Sequence, residues 1–337
     1  MIAVTYHDDL KEVQSDPELA ALLCADGRAA PFDRLSWWQG LVEECGFFPL
    51  IAVARDGEYR AVLPMYRVKR RLEALANWYN FTVRQLVSPG ADRQALLAAV
   101  ASNLVGEAPH IILSPLPDDL GEATELAAAL RGAGWLVFRD MCAPNHVLPV
   151  ACRSFDDYLA TRPGHLRTLL ARKSGKVTTR IETRFDPESW QDYQSIYEQS
   201  WKPREGSPAF LRRFAESEGA AGRLRLGIAY AEGKPVAAQF WTVEGGVAYI
   251  HKLAHLEEAR SLSPGSILSA AMFRHAIDED RVKLIDFGNG DELYKSDWME
   301  QVRPRYRLEA FRPGWPGNWP KIARKLASRL AHRSKHV

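Results

Sequence analysis

The chain has 337 residues, 46% of them hydrophobic, enough for two domains with cores of their own. No stretch approaches the roughly 18 consecutive apolar residues of a membrane span, the acidic N-terminus lacks the apolar run of a secretory signal, and four scattered cysteines without a CxxC pair argue for reduced thiols rather than disulfides or zinc. The net charge is only +2, but it is unevenly placed: residues 310–337 hold seven Lys/Arg and no acid, leaving a body of about −5 and an expected cytoplasmic protein with a basic tail.

Residues 2–6 read as a short strand and 17–23 as a helix. Leu35, Trp38, Leu41, Val42 and Cys45 recur at helical spacing, which predicts an amphipathic helix with Trp38 inward. Two apolar strands then flank an Asp56-Gly57 turn, a hairpin signal. Ser88-Pro89-Gly90 precedes a helix over 92–104 and a strand over 110–116, and a helix over 122–131 and a strand over 135–139 close this half. Pro149 breaks the pattern and sets a boundary near Val150.

A helix over 155–176 opens the second half, with Leu159, Leu166, Leu169 and Leu170 as its stripe and Arg162, Arg167, Arg172, Lys173 and Lys176 on the remaining positions. Strands over 224–231 and 236–243 are joined by a Glu232-Gly233-Lys234 turn. Residues 247–298 then read as strand, polar loop, helix and apolar strand (282–287), a βαβ unit. Ser263 suits its N-cap, Pro264 its first helical position, and Gly265 leaves the backbone open. The N–H groups and dipole at such a helix start form an anion site. Hairpin turn, Ser-Pro-Gly, helix and apolar strand thus recur about 175 residues apart, the mark of a duplicated domain. The expected fold is two copies of one mixed α/β (α+β) domain, residues 1–150 and 151–312, followed by a basic amphipathic helix within 313–337.

Trp201-Lys202, Tyr249, the run Arg260–Ser266, Asp286-Phe287-Gly288, Tyr294-Lys295 and Trp298, with the basic helix upstream, together resemble the GNAT-fold acyltransferases. The resemblance is to the branch shared by Fem-type peptidoglycan aminoacyltransferases and the acyltransferase domains found with cellulose and exopolysaccharide synthesis, and it covers about residues 150–312. It implies two tandem GNAT-like domains, each a mixed central sheet flanked by helices, the first degenerate and the second catalytic. The implied activity is N-acyl transfer from a thioester, acyl-CoA or acyl carrier protein, to an amine of an envelope sugar, lipid or small metabolite. The alternatives are an aminoacyl-tRNA-dependent ligase of the Fem type and a non-catalytic scaffold of a polysaccharide synthase.

The resemblance also assigns places. Arg260, Ser263, Gly265 and Ser266 occupy the phosphate cradle, although Pro264 brings no N–H where the usual GNAT loop would. The donor that polarises the thioester carbonyl is expected among the backbone N–H groups of Tyr249–Leu253. His251, which titrates near neutrality, and Asp286, at the carboxyl end of a strand, are the candidate bases. Tyr294 stands where many GNAT enzymes keep the acid for the thiolate. Trp201, Lys202, Tyr249, Lys295 and Trp298, with Arg172 and Lys173, are candidate substrate contacts. Lys202 and Lys295 are read as anion anchors, because an unshifted lysine is protonated at pH 7.

Other signals carry no function. Asp286-Phe287-Gly288 lacks the companions of the kinase triplet. His251 and His255 lack the Glu of HExxH, so no metal is implied. Without GxSxG or a nucleophilic cysteine pair, direct attack by the amine is expected. In the tail, Trp319, Ile322, Leu326 and Leu330 form an apolar stripe among Lys321, Arg324, Lys325, Arg329 and Arg333. That stripe over 318–333 either docks on the second half or touches the inner face of a membrane. No DNA partner is expected.

Overall fold

In the computed structural model, which describes residues 2–24 and 30–333, the chain opens with β1 (Ala3–His7) and two short helices, α1 (Leu10–Ser15) and α2 (Pro17–Leu22). Asp9 and Asp16 cap these helices through their side chains. α3 (Leu35–Cys45) buries Trp37 and Trp38 and stops at Gly46, whose φ of 70° suits glycine. β2 (Pro49–Asp56) and β3 (Tyr59–Val68) form the expected hairpin, with Asp56 opposite Tyr59. β4 (Arg71–Ala74), β5 (Leu86–Val87), α4 (Arg93–Asn103), β6 (His110–Leu116), α5 (Glu122–Gly132) and β7 (Leu136–Pro149) follow.

Ser88-Pro89-Gly90 does not start α4. Ser88 bonds instead along β3, its N–H to the Arg60 carbonyl (2.9 Å) and its Oγ to the Arg60 N–H (3.0 Å). Asp92 takes the cap, accepting from the Ala95 N–H at 3.0 Å.

The predicted helix over 155–176 is two helices, α6 (Phe155–Ala160) and α7 (Gly164–Lys173), broken at Pro163, which disfavours helical geometry in the residue before it. Then come β8 (Thr178–Glu182), α8 (Pro187–Gln199), α9 (Pro208–Ala220), β9 (Leu224–Ala231), β10 (Lys234–Glu244), β11 (Val247–His255), α10 (Pro264–Arg274), β12 (Leu284–Asn289), α11 (Tyr294–Trp298), β13 (Gln301–Phe311) and α12 (Trp319–Arg333).

Two compact units result, and their boundaries differ from the expected 150 and 312. Residues 2–24, 32–143 and 304–333 make the first, and 144–303 with 30–31 the second. β7 does not stop at Arg139: its last residues, from 145 to 149, pair with β12 in the second unit. Likewise Tyr306–Phe311 of β13 pair with β6 in the first. Each unit therefore completes its sheet with a strand from the other half of the sequence. The strand order is β1-β2-β3-β4-β6 plus β13 in the first unit and β8-β9-β10-β11-β12 plus β7 in the second. All neighbours along these orders are antiparallel except one parallel pair in each, β4–β6 and β11–β12. In the second unit Trp241, Ile250, Leu268, Phe273 and Ile285 share one core, built between the sheet and α10.

Of the two expectations for α12, docking on the second half is not met. The helix packs on the first unit, and does so through Lys325 and Arg329, which pair with Asp140 at 3.0 Å each.

Candidate active site

The parallel register of β11 and β12 covers Val247–Leu284, Ala248–Ile285 and Tyr249–Asp286 and goes no further. Both strands are bent at that point. Phe240 and Trp241 of β10 lie opposite Lys252 and Ile250, so His251 is one residue too many for the ladder, a bulge. On β12 the register against β7 slips between Asp286 and Asn289, where Gly288 takes a φ of 71°. The buried Asp286 carboxylate fixes this turn, accepting from the Gly288 N–H at 2.8 Å and from Asn145 Nδ2 at 2.7 Å. An opening between the strand ends is the outcome.

Beside it lies the loop into α10. Ser263 occupies the N-cap in the left-handed region (φ 55°, ψ 45°), but no side chain caps the helix. Its hydroxyl is turned to Lys173 instead, whose Nζ donates to Ser263 Oγ and to the Ser261 carbonyl, both at 2.8 Å. The first N–H groups of α10 therefore keep their positive end without a capping oxygen. Gly265 leaves room chiefly for a protein group: a Cβ there would stand 3.4 Å from His255 Nδ1. Gln239 holds the same turn from below through Ser269 Oγ (2.7 Å) and the Gly265 carbonyl (3.3 Å). Arg260 and Arg172 are exposed, and Ser266 is half-buried.

Across the opening, Trp201 packs its ring 4.3 Å from that of His255, and Lys202 Nζ stands 5.2 Å from the Trp201 ring centre and 6.0 Å from that of Tyr294. Burial, reinforced by the neighbouring Lys295 and Lys252, holds the Lys202 pKa below the usual lysine range, opposed only by Glu292. Among the described residues no carboxylate is within ion-pair distance of Lys202, whereas Lys252 has Glu205 and Lys295 has Glu292, each at 2.9 Å. Burial, and then Glu292, pushes the Tyr294 hydroxyl far above its ordinary pKa, so it stays protonated.

The expected site residues have the following surroundings. Asp286 has its carboxylate engaged by two donors inside the bulge. His251 Nε2 lies 2.8 Å from Thr242 Oγ1, and its ring is wedged between Phe214 and Phe240, each 5.2 Å away. Lys295 is buried and donates to the Asn289 carbonyl at 2.7 Å, tying the turn into α11. Trp298 is in the core, 4.8 Å from the Phe273 ring, and Tyr249 is buried beside the opening. Trp201, Lys202 and Tyr294 do come together, as do Lys173 and Ser263.

Two further histidines, His146 and His255, are withdrawn from solvent in the second unit. Burial lowers the pKa of both His255 and His146, keeping them neutral near pH 7. His255 was visible in HKLAH, where the four-residue spacing suggested only a metal pair. His146 precedes a strand end and carries no signal of its own.

Residues 156–296 match the family profile described as an acetyltransferase (GNAT) domain. The fold is similar to that of FemX, with 12% identity, 91% of this chain and 96% of that one covered, and a TM-score of 0.61. It is similar also to the C-terminal domain of a putative lysylphosphatidylglycerol synthetase from Agrobacterium fabrum (14% identity, 91% and 93% covered, TM-score 0.59). A tandem GNAT protein from the clavulanic acid biosynthesis pathway gives 14% identity, 91% and 98% coverage, and a TM-score of 0.53. No curated protein sequence matches the chain. The second unit thus carries a GNAT-type domain, the domain of an acyltransferase. Among the described residues no cluster of three or more His, Cys, Asp or Glu could hold a metal ion, and no helix is long and apolar enough to cross a membrane.

Proposed function

We propose that the second unit moves an acyl group from a thioester, acyl-CoA or acyl carrier protein, to a primary amine of an envelope sugar, lipid or small metabolite by direct attack. The observation that carries this reading is the parting of β11 and β12 beyond Tyr249 and Asp286, beside the uncapped start of α10. The N–H groups at that start suit the phosphate portion of the donor, and the extra residue of the bulge at His251, left out of the β10 ladder, offers a backbone N–H that suits a developing oxyanion. The amine nitrogen bonds to the carbonyl carbon, the C–S bond breaks, and the departing thiolate takes the Tyr294 proton.

For the proton lost by the amine, Lys202 is the acceptor these contacts favour. Burial lowers its pKa, while Asp286 and His251 are occupied by other partners. An aminoacyl-tRNA donor remains the second reading: two of the basic residues meant to grip RNA are engaged, Lys173 on the loop and Arg162 on Glu300, while Arg167, Arg172 and Lys176 are exposed. The reaction is placed in the cytoplasm, at the inner membrane face where the acceptor is a lipid or lipid-linked sugar.

Calorimetry with a panel of acyl-CoAs tests the donor; binding by none of them would move the reading to a carrier protein or an aminoacyl ester. The role of Lys202 is tested by Lys202→Met and Lys202→Arg. Arginine restores a positive anchor but cannot accept a proton at neutral pH, so both variants should lose about 10²- to 10⁴-fold in turnover. Recovery by arginine alone would reduce Lys202 to an anchor.

A further inference from the structure

α12 turns the wrong side inward for an ordinary surface helix, whose apolar stripe would face the core. Lys325 Nζ reaches Asp140 at 3.0 Å and Glu309 at 2.8 Å, and Arg329 donates to Asp140 at 3.0 Å and to the Arg139 carbonyl at 3.1 Å, its guanidinium 4.8 Å above the Phe138 ring. Hydrogen bonding from His110, helped by Lys325, holds the Glu309 pKa down to about 2, so this attachment persists at neutral pH. Lys321, Lys325 and Arg329 follow at i, i+4 and i+8 on one side. Trp319, Ile322 and Leu326, at i, i+3 and i+7, lie about 100° further round, the rotation of one helical residue.

Most of that second side is open to solvent, although Ile322 is half-buried. Trp319 is 60% exposed and Leu326 47%, and Trp315, in the turn before the helix, is 41% exposed. The display is held in place: Asn318 Nδ2 donates to the Pro109 and Arg312 carbonyls at 2.7 and 3.1 Å, and Trp319 Nε1 to the Pro313 carbonyl at 2.9 Å. A fixed apolar ridge in water is costly without an occupant.

We infer that the ridge of Trp315, Trp319, Ile322 and Leu326 docks on an anionic lipid bilayer. Charge selects this occupant. Residues 310–337 hold seven basic residues and no acid, so the same ridge of a second copy would be repelled, whereas an anionic surface is attracted. Lys321 and Arg324 are exposed on the same helix, whose diameter of about 10 Å keeps them within roughly a Debye length of any surface the ridge touches. Indoles settle at the headgroup level, where one edge is dry and the N–H is satisfied. The inference is independent of which acyl group the second unit moves.

The test is sedimentation of the full chain with vesicles of phosphatidylglycerol and phosphatidylcholine, and with phosphatidylcholine alone. The wild-type protein should pellet with the anionic vesicles and be released by salt. Trp315→Ser/Trp319→Ser/Leu326→Ser should cut the partition coefficient at least tenfold. Lys321→Gln/Arg324→Gln, which leaves the ridge intact, should cut it about 25-fold, from about fivefold per basic residue. Melting temperatures should hold, since all five side chains are exposed. Equal pelleting of wild type and both variants, or none with anionic vesicles, overturns the inference. A wild-type dimer that the triple variant converts to monomer would assign the ridge to a second copy and overturn it equally.

Discussion

The two units share a framework and differ at one place in it. In each, a parallel strand pair, β4–β6 or β11–β12, has a register of three residue pairs and then parts. In the first unit the chain itself fills the space beyond: Leu75, Tyr79, Phe81, Val83 and Gln85 are buried there, with the Val83 N–H on the Pro115 carbonyl at 2.7 Å and Gln85 Nε2 on the Glu122 carbonyl at 2.8 Å. In the second unit His251, Lys252 and His255, beyond Tyr249, are half-buried and titratable. The helix heads differ in the same sense. Asp92 puts a carboxylate on the start of α4, satisfying an N–H and repelling anions, while the start of α10 has no side-chain cap. An opening able to take an anionic donor thus depends less on topology than on one buried segment and one capping residue.

The sharpest way to break this comparison is to remove single groups from the opening. Tyr294→Phe deletes only a hydroxyl, and turnover should fall about 10²- to 10⁴-fold with the melting temperature unchanged. Tyr79→Phe in the filled counterpart should leave turnover alone. Near-wild-type turnover of Tyr294→Phe would mean that the thiolate is protonated elsewhere.

A smaller effect comes from making α10 like α4. Ser263→Asp places a carboxylate at the anion-binding end, and donor affinity measured by calorimetry should weaken about tenfold, the scale of a charge at a helix terminus. Unchanged affinity would detach donor binding from that helix.

The smallest expected change is a gain in stability. The folded pKa of Lys202 lies below its unfolded value of 10.5, so the charged form costs stability at pH 7 and the cost disappears as pH rises through the folded pKa toward 10.5. Lys202→Met should therefore raise the melting temperature at pH 7, and the gain should shrink as the pH rises toward 10.5. A loss of stability at pH 7 would show that a partner holds the ammonium in the folded state.

Much of the framework was legible because its signals are local. The Asp56-Gly57 and Glu232-Gly233 hairpins, the helix carrying Trp38 and the strand-helix-strand of residues 247–289 all rest on turn residues and periodicity within a few positions. Ser88-Pro89-Gly90 and Ser263-Pro264-Gly265 show the limit of such signals: the same tripeptide leaves a strand through a turn in one unit and begins a helix in the other, where no Asp follows to take the cap. α1, six residues long, offers too little period to be seen. The bulge at His251 has no signature, since an extra residue in a ladder is defined by the partner strand. The properties of Lys202 were out of reach for a similar reason. Lys252 and Lys295, which depress its protonation, meet it only in the folded unit.

The crossed ends of β7 and β13 bear on how the protein is made. β6 is complete when Leu116 leaves the ribosome, but the strand that covers its edge, Tyr306–Phe311, is translated about 190 residues later. At about 5–20 residues per second, that is a wait of roughly 10–40 seconds. For that interval the nascent first unit offers an unpaired strand edge to any neighbouring chain. The gene cannot be divided near codon 150 into two independently folding products, since each piece would lack a strand that the other encodes.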